Sequence, residues 1–363
     1  MAQLHVIPVA PLRQAMRLVV AGFGSQADEI EAVADNLVEA NLTGHDSHGI
    51  GMLPRYAAAF LEGGLKPNTH VRTVLDAGAL LRLDGGAGFG QVIGREAMAL
   101  GIARARELGS AIVALGNSHH LGRIGAWAEQ AAAAGLVSLH FVNVIARPIV
   151  APYGGARPGF GTNPFTAGVP LAGRPPFILD FATSVIAQGK TRVAYNKGEP
   201  LPEGCVLDDQ GRPSTDPRWS VVPPYGAILA FGAHKGYGLA ALCELLGGAL
   251  AAGLVGHRED GSRKRVLNGM LSILIDPVAL GGGPAGAEAF AAEAKAFAEN
   301  LLALPAREGF ERVLLAGDPE RAMRARREAE GVPVDATTWQ EILQAAASLG
   351  VDPRAVDAAA GRA

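Results

Sequence analysis

Cysteine is almost missing from this chain of 363 residues: it has only Cys205 and Cys243, and neither belongs to a Cys-x-x-Cys pair. That argues against a disulfide framework and against a thiolate zinc site. Charge of one sign is missing too. The 32 Lys and Arg nearly balance the 35 Asp and Glu, for a net charge of −3 without a long basic or acidic run. No bulk electrostatic partner, nucleic acid or anionic membrane, is therefore expected. Apolar stretches are broken by Gly, Pro or charge before they reach membrane-spanning length. The first residues show no charged segment followed by an apolar one. A reducing, cytoplasmic location is expected.

Several catalytic signatures are also absent. There is no Gly-x-Ser-x-Gly elbow and no His-Glu-x-x-His helix. Gly189-Lys190-Thr191 ends like a phosphate loop, but Ser184 stands where the loop needs its first glycine. Gly281-Gly-Gly283-Pro-Ala-Gly286 fits the dinucleotide glycine pattern. Pro284, however, removes a backbone N–H where a pyrophosphate needs donors, and no complete strand–helix–strand unit follows.

Glycine is plentiful at 48 residues, while 49% hydrophobic and 18% charged residues describe an ordinary globular protein of two or three structural units. Ile30, Val33, Ala34, Leu37 and Val38 share one helical face, with Ser25 read as the N-cap and Asp28 and Glu29 in the first turn. A second short helix is expected near Met52-Leu53-Pro54. From about residue 78 strand-length apolar runs begin: Leu80–Leu83, Ala111–Leu115, Leu136–Val144, Phe177–Asp180, Ala227–Phe231 and Met270–Ile275. Helical stretches at Val92–Leu108, Ile124–Ala134 and Tyr237–Ala252 lie between some of them. The last is read as a buried helix with Cys243 in its core.

The alternation predicts a layered α/β sheet. Thr337 with Gln340 reads as a capping box ahead of the stripe Trp339, Ile342, Leu343 and Ala346. The expected division is a helical unit of 1–78 plus 300–363 around an α/β core of 79–299, with a loop-rich insertion at about 146–225.

Four histidines occur as two tight clusters, His45 with His48 and His119 with His120, each in a Gly/Ser/Asn-rich loop. Two chemistries fit them. His45, Asp46, His48 and one His of the second cluster could ligate a metal. Alternatively an imidazole could exchange a proton with a carbonyl or carbinol oxygen. Spacing alone does not separate these, and a single loop histidine is more often a hydrogen-bonding turn residue.

Five motifs then occur in order: Asn41-Leu-Thr-Gly-His-Asp-Ser-His48-Gly, Asn117-Ser-His-His120-Leu-Gly-Arg-Ile-Gly125, Gly161-Thr-Asn-Pro164, Leu179-Asp-Phe-Ala-Thr-Ser184 and Ala233-His-Lys-Gly-Tyr-Gly238. Together they resemble the malate/L-lactate dehydrogenase family of the second type, which is unrelated to the Rossmann lactate and malate dehydrogenases. The likeness runs from about residue 12 to 350. In Gly44–Met52 and Gly189–Ala194 it is most similar to the hydroxycarboxylate dehydrogenase branch.

The resemblance implies a non-Rossmann, sulfolactate dehydrogenase-like α/β fold, NAD or NADP as cofactor, no metal, and a homodimer with the cofactor near the subunit interface. It implies interconversion of 2-oxo and 2-hydroxy acids of the 2-oxoglutarate, phenylpyruvate or hydroxyphenylpyruvate type. Malate or lactate oxidation and NADPH-dependent reduction of a cyclic imino acid (piperideine-2-carboxylate) are the alternatives within the family. A metal-dependent lyase or hydrolase, or a relative that only binds nucleotide, are the alternatives outside this reaction.

By position, the resemblance makes His48 the proton donor beside the nicotinamide, oriented by Ser47, with His120 and Asp180 as further catalytic groups. His119 is read as a structural neighbour, and Asp180 equally as a turn cap. Cofactor contact is implied for His48, Gly122, Arg123 and Ile124, for Thr162 and Asn163, and for Ile178, Leu179, Asp180, Phe181 and Ala182. It is implied likewise for His234, Lys235 and Asn268, and for Leu315, Ala316, Gly317 and Asp318. Departures matter. Met52 stands where many members place an arginine for the substrate carboxylate, leaving Arg55 and Arg147, or Arg123, for that role. Val144 replaces a small polar residue, which favours a bulkier or aromatic 2-oxo acid.

Overall fold

The computed structural model describes residues 4–256 and 265–362. Its centre is a seven-stranded mixed sheet. The strands lie in the order Arg72–Ala77, Leu80–Asp84, Ser110–His119, Leu267–Ile275, Val137–Ile145, Phe165–Val169 and Phe177–Phe181. Leu80–Asp84 and Ser110–His119 run parallel, joined by the crossover helix Gly90–Leu108. All other neighbouring pairs are antiparallel.

Helix Gly90–Leu108 packs on this sheet through Ile93, Ala97 and Met98, against Val113, Leu115 and Leu274 of the central strands. The α/β class expected from the alternating runs is therefore present. Its antiparallel bias sets it apart from a doubly wound parallel sheet.

The terminal segments pack on each other. Strand Leu4–Ile7 pairs antiparallel with Val332–Asp335. Helices Val9–Ala21, Ala27–Leu42, Leu53–Leu61 and Ala336–Ser348 contribute Leu12, Met16, Val33, Leu37, Tyr56, Trp339, Ile342 and Ala346 to one buried cluster. The 3.6-residue spacing of Val33, Leu37 and Val38 puts all three on the buried face. Trp339 is wholly buried, and its Nε1 donates to Asp357 Oδ1 at 2.8 Å.

Several local expectations are corrected. The helix N-cap is Gln26, not Ser25; the Ser25 hydroxyl instead donates to Glu29 Oε1 at 2.6 Å. Asp335 caps the helix at 336 by accepting from Thr338 N, so the Thr337–Gln340 box does not form. The stretch read as one buried helix is His234–Cys243 running into a wider turn over Glu244–Leu250, with Cys243 buried but Leu242, Leu245 and Leu250 exposed.

Strands Leu4–Ile7, Arg72–Ala77 and Phe165–Val169 and helix Gln188–Lys197 had no sequence signal. Arg72–Ala77 is exposed at every position, so no alternation marks it. Ala227–Phe231 shrinks to the two-residue strand Ala227–Ile228. Pro284 occupies the first turn of helix Pro284–Ala303, where its missing N–H costs no hydrogen bond.

Trp339→Ala should lower unfolding free energy by about 3–5 kcal/mol, as for other buried aromatics. Urea titration followed by circular dichroism measures it, and an unchanged midpoint would show that the terminal cluster does not stabilise the chain.

Candidate active site

His48 closes a short 3-10 turn, Asp46–His48, directly after helix Ala27–Leu42. The turn is pinned from two sides. Arg327 of helix Asp318–Glu330 grips Asp46 bidentately, Nη1 to Oδ1 at 2.7 Å and Nη2 to Oδ2 at 3.0 Å, and also donates to Asn41 O. The Asn41 amide donates to Asp46 Oδ1 at 2.6 Å, while its oxygen accepts from Ile50 N at 2.9 Å. A Cβ on Gly49 would sit 2.1 Å from that oxygen, so only glycine fits there. A Cβ on Gly189 would lie 2.8 Å from Ser47 Cβ, which accounts for the glycine of the failed phosphate loop.

The second histidine pair ends strand Ser110–His119 and meets the first. The His48 and His120 rings stack with centroids 5.3 Å apart and planes 12° apart, and His48 Nδ1 lies 3.2 Å from His120 Nε2. On the far side Tyr56 Oη lies 2.7 Å from His120 Nδ1, and Gln91 Nε2 donates to Tyr56 Oη at 2.9 Å. Tyr56 and Gln91 had not been singled out. Each is a polar side chain set among apolar residues on a buried helix face, and that is the signal that could have found them. His119 is buried, edge-on to Tyr56 at 5.4 Å, and among the described residues neither ring nitrogen has a hydrogen-bond partner.

Burial holds this cluster neutral. It lowers His48 to about 4, with His45 and Arg123 adding to it and Asp180 opposing. It lowers His119 to about 3, and puts His120 well below the ordinary value of 6.5, helped by His48, His119 and Arg55. Burial also raises the Tyr56 hydroxyl. Arg55 and Arg147 stand beside the cluster. Burial and Arg147 lower Arg55, yet its side chain remains open to solvent. Arg147 stacks its guanidinium 3.7 Å from the Tyr225 ring centroid. Among the described residues neither arginine has an ion-pair partner. Met52 packs against the helical cluster.

The segments implied in cofactor contact converge on edge strand Phe177–Phe181. Ile178 N donates to Ala316 O at 3.2 Å, which seats the loop Leu315–Asp318 on the strand. Asp180 Oδ2 accepts from Gly125 N at 2.8 Å and Oδ1 from Thr166 Oγ1 at 2.8 Å, so this carboxylate holds the helix following Gly122, Arg123 and Ile124. Phe231 N donates to Thr183 O, bringing in the segment of His234 and Lys235, both exposed. Leu179, Phe181 and Ala182 lie along the same strand and its exit.

Thr162, Asn163 and Asn268 are bound up in the framework. Thr162 O accepts from Thr183. Asn163 bonds Val144 N, Ala240 O and Glu244. Asn268 bonds Leu121 N and Asn143 O.

The metal-ligand set proposed from spacing disperses: His45 pairs with Glu320 at 3.6 Å, Asp46 with Arg327, and His48 with His120. Among the described residues no three His, Cys, Asp or Glu share ligating geometry. Nor does any described helix have the length and apolarity to cross a membrane.

A family model for malate/L-lactate dehydrogenases matches residues 7–343. The chain is 46% identical to hydroxycarboxylate dehydrogenase B of Escherichia coli K12, covering 98% of this chain and 97% of that one. It is 39% identical to an L-lactate dehydrogenase of Cupriavidus necator over 95% and 98% of the two chains. The solved sulfolactate dehydrogenase of Methanocaldococcus jannaschii superposes with a TM-score of 0.85 at 30% identity, over 97% of this chain and 99% of that one. The chain belongs to the malate/L-lactate dehydrogenase family.

Burial puts His48 at about 4, His119 at about 3 and His140, buried within strand Val137–Ile145, at about 4, all below the ordinary 6.5. The unfolded chain therefore binds more protons between those limits. Their stabilisation is complete above about pH 6.5 and is lost as pH falls toward 4. Thermal melts from about pH 7 down to about pH 4.5 should show Tm falling across this window; a flat profile would mean that these imidazoles are not buried neutral.

Proposed function

We propose that the protein reduces 2-oxo carboxylic acids to 2-hydroxy acids, and catalyses the reverse oxidation, with a nicotinamide dinucleotide as hydride carrier. The observation that carries this reading is the neutral His48–His120 stack beside two arginines that, among the described residues, have no ion-pair partner. Two guanidinium groups can hold a carboxylate, and an imidazole at the next atom can serve the adjacent carbonyl oxygen. His48 is part-exposed while His120 is buried, so His48 is the ring a substrate can reach.

The residues present fit a dinucleotide. The segments Gly122–Ile124, Ile178–Ala182, His234–Lys235 and Leu315–Asp318 meet along one strand. At Ala233 the backbone adopts φ 55° and ψ −121°, a costly conformation for a residue with a Cβ, of the kind that gathers at ligand sites. These segments would hold NAD or NADP. When bound, the cofactor supplies or accepts the hydride at the substrate's C2. In the reductive direction His48 gives a proton to the forming alkoxide, and in oxidation it takes the hydroxyl proton. Arg55 and Arg147 fix the carboxylate. Asp180 acts on His48 through its charge and through the helix that it holds. Ser47 packs against Gly189, and among the described residues it makes no hydrogen bond to His48.

The Tyr225 ring over Arg147 gives the clamp an aromatic wall, which supports phenylpyruvate or hydroxyphenylpyruvate as substrate over smaller acids. The two cysteines are buried and unpaired, in keeping with a reducing cytoplasm.

Purified protein should oxidise NADH or NADPH with such a 2-oxo acid, followed by nicotinamide absorbance. His48→Ala should lower kcat by about 10²–10⁴-fold while nucleotide still binds. Turnover only with a cyclic imino acid, or full activity in His48→Ala, would overturn the reading.

We read Leu242, Leu245 and Leu250, exposed by 40%, 59% and 63%, as part of a homodimer interface. Light scattering should report a dimer for the native chain and a shift toward monomer for Leu245→Lys. A native monomer would refute this.

A further inference from the structure

The hydrogen-bonded row Gln91–Tyr56–His120–His48 has a direction, and Gln91 sets it. An amide nitrogen can only donate, so the contact of Gln91 Nε2 with Tyr56 Oη uses a lone pair of the phenol. The Tyr56 O–H must then point to its other neighbour, His120 Nδ1, at 2.7 Å. That nitrogen accepts, which places the single ring proton of neutral His120 on Nε2. His120 Nε2 therefore donates to His48 Nδ1 across 3.2 Å, and the proton of neutral His48 is left on Nε2. Each step follows because both rings are neutral and each neutral imidazole has one donor and one acceptor.

We infer that Gln91 and Tyr56 are positioning residues that lock His48 in its Nε2–H tautomer, and so present a proton, not a lone pair, to the carbonyl oxygen of a bound 2-oxo acid.

Gln91 Oε1 is buried and finds no hydrogen-bond partner among the described residues, so no second contact pulls the amide nitrogen away from Tyr56.

The inference rests on the reductase reading above and adds a mechanism to it. An imidazole lowered to about 4 by burial is scarcely protonated near neutral pH. A neutral ring with an N–H aimed at the developing oxyanion can still act as the electrophile. On reduction the hydride adds to C2, the C=O π pair becomes the alkoxide lone pair, and the alkoxide takes the His48 Nε2 proton. Water at the open side of His48 restores that proton. Tyr56 does not lose its own, because burial raises its hydroxyl.

A carboxylate at position 91 can only accept. It would draw the Tyr56 O–H to itself, reverse every bond in the row and leave His48 Nε2 bare. The test is long-range proton–nitrogen NMR of 15N-labelled protein, with His48 signals assigned by their loss in His48→Ala, together with steady-state reduction kinetics. The native chain should show His48 protonated on Nε2. Gln91→Glu should move the proton to Nδ1 and lower reductive kcat by about 10–100-fold, with nucleotide KM unchanged. Tyr56→Phe, which keeps the ring's packing and should fold if Gln91→Glu does not, should give a mixture of tautomers and an intermediate loss. A native His48 protonated on Nδ1, or a tautomer and kcat unmoved in the folded variants, would overturn the inference. If His48→Ala abolishes turnover while these variants behave as the native chain, only the positioning role fails. If His48→Ala keeps its activity, the reductase reading fails first.

Discussion

The histidine turn Asp46–His48 depends on one ion pair. Arg327, nearly buried at 9% side-chain exposure, reaches from a C-terminal helix to grip Asp46 with both nitrogens and to cap Asn41 O. Two parallel N–H···O bonds fix orientation as well as distance. The contact sets the pitch of a three-residue turn whose last member is His48, and with it the stacking on His120. Losing the Asp46 carboxylate would leave a buried guanidinium without its counter-charge, a larger penalty than the net strength of the pair itself.

Downstream of that contact, the site is a small region where ionisation is suppressed. Histidines of a short turn and of a strand end face each other, and their mutual repulsion, if charged, adds to burial in keeping them neutral. Arg55 and Arg147 stand beside the histidines, and among the described residues neither has an ion-pair partner. Asp180, whose charge acts on His48, has both oxygens engaged by Gly125 and Thr166. It influences the ring through space and does not compete for its proton.

Much of this was legible in the residues. The helical spacing around Val33 and Leu37, the apolar runs of the central strands and the paired histidines all reflect local rules of burial and periodicity. What was not legible depends on contacts distant in sequence. Arg72–Ala77 is a strand because Leu80–Asp84 offers it an edge, and its own exposed side chains carry no alternation. Asp46 resembled a metal ligand until Arg327 was beside it. The side-chain amides of Asn163 and Asn268 tie loops to the sheet, which their motifs alone could not show. Ser25 lost the cap because its hydroxyl found Glu29, a buried carboxylate that also accepts from Asn68 N.

The pairing of Asp46 with Arg327 spans 281 positions of chain. A ribosome adding about 5–20 residues each second needs roughly 15–55 s to cover that interval. Throughout that time the histidine turn exists in the nascent chain without its anchor, and strand Leu4–Ile7 waits for Val332–Asp335 in the same way. The sheet can assemble from sequence already made, but the turn and the terminal strand pair cannot. Completion of the histidine turn is therefore a late event in the life of each molecule, coupled to the emergence of helix Asp318–Glu330.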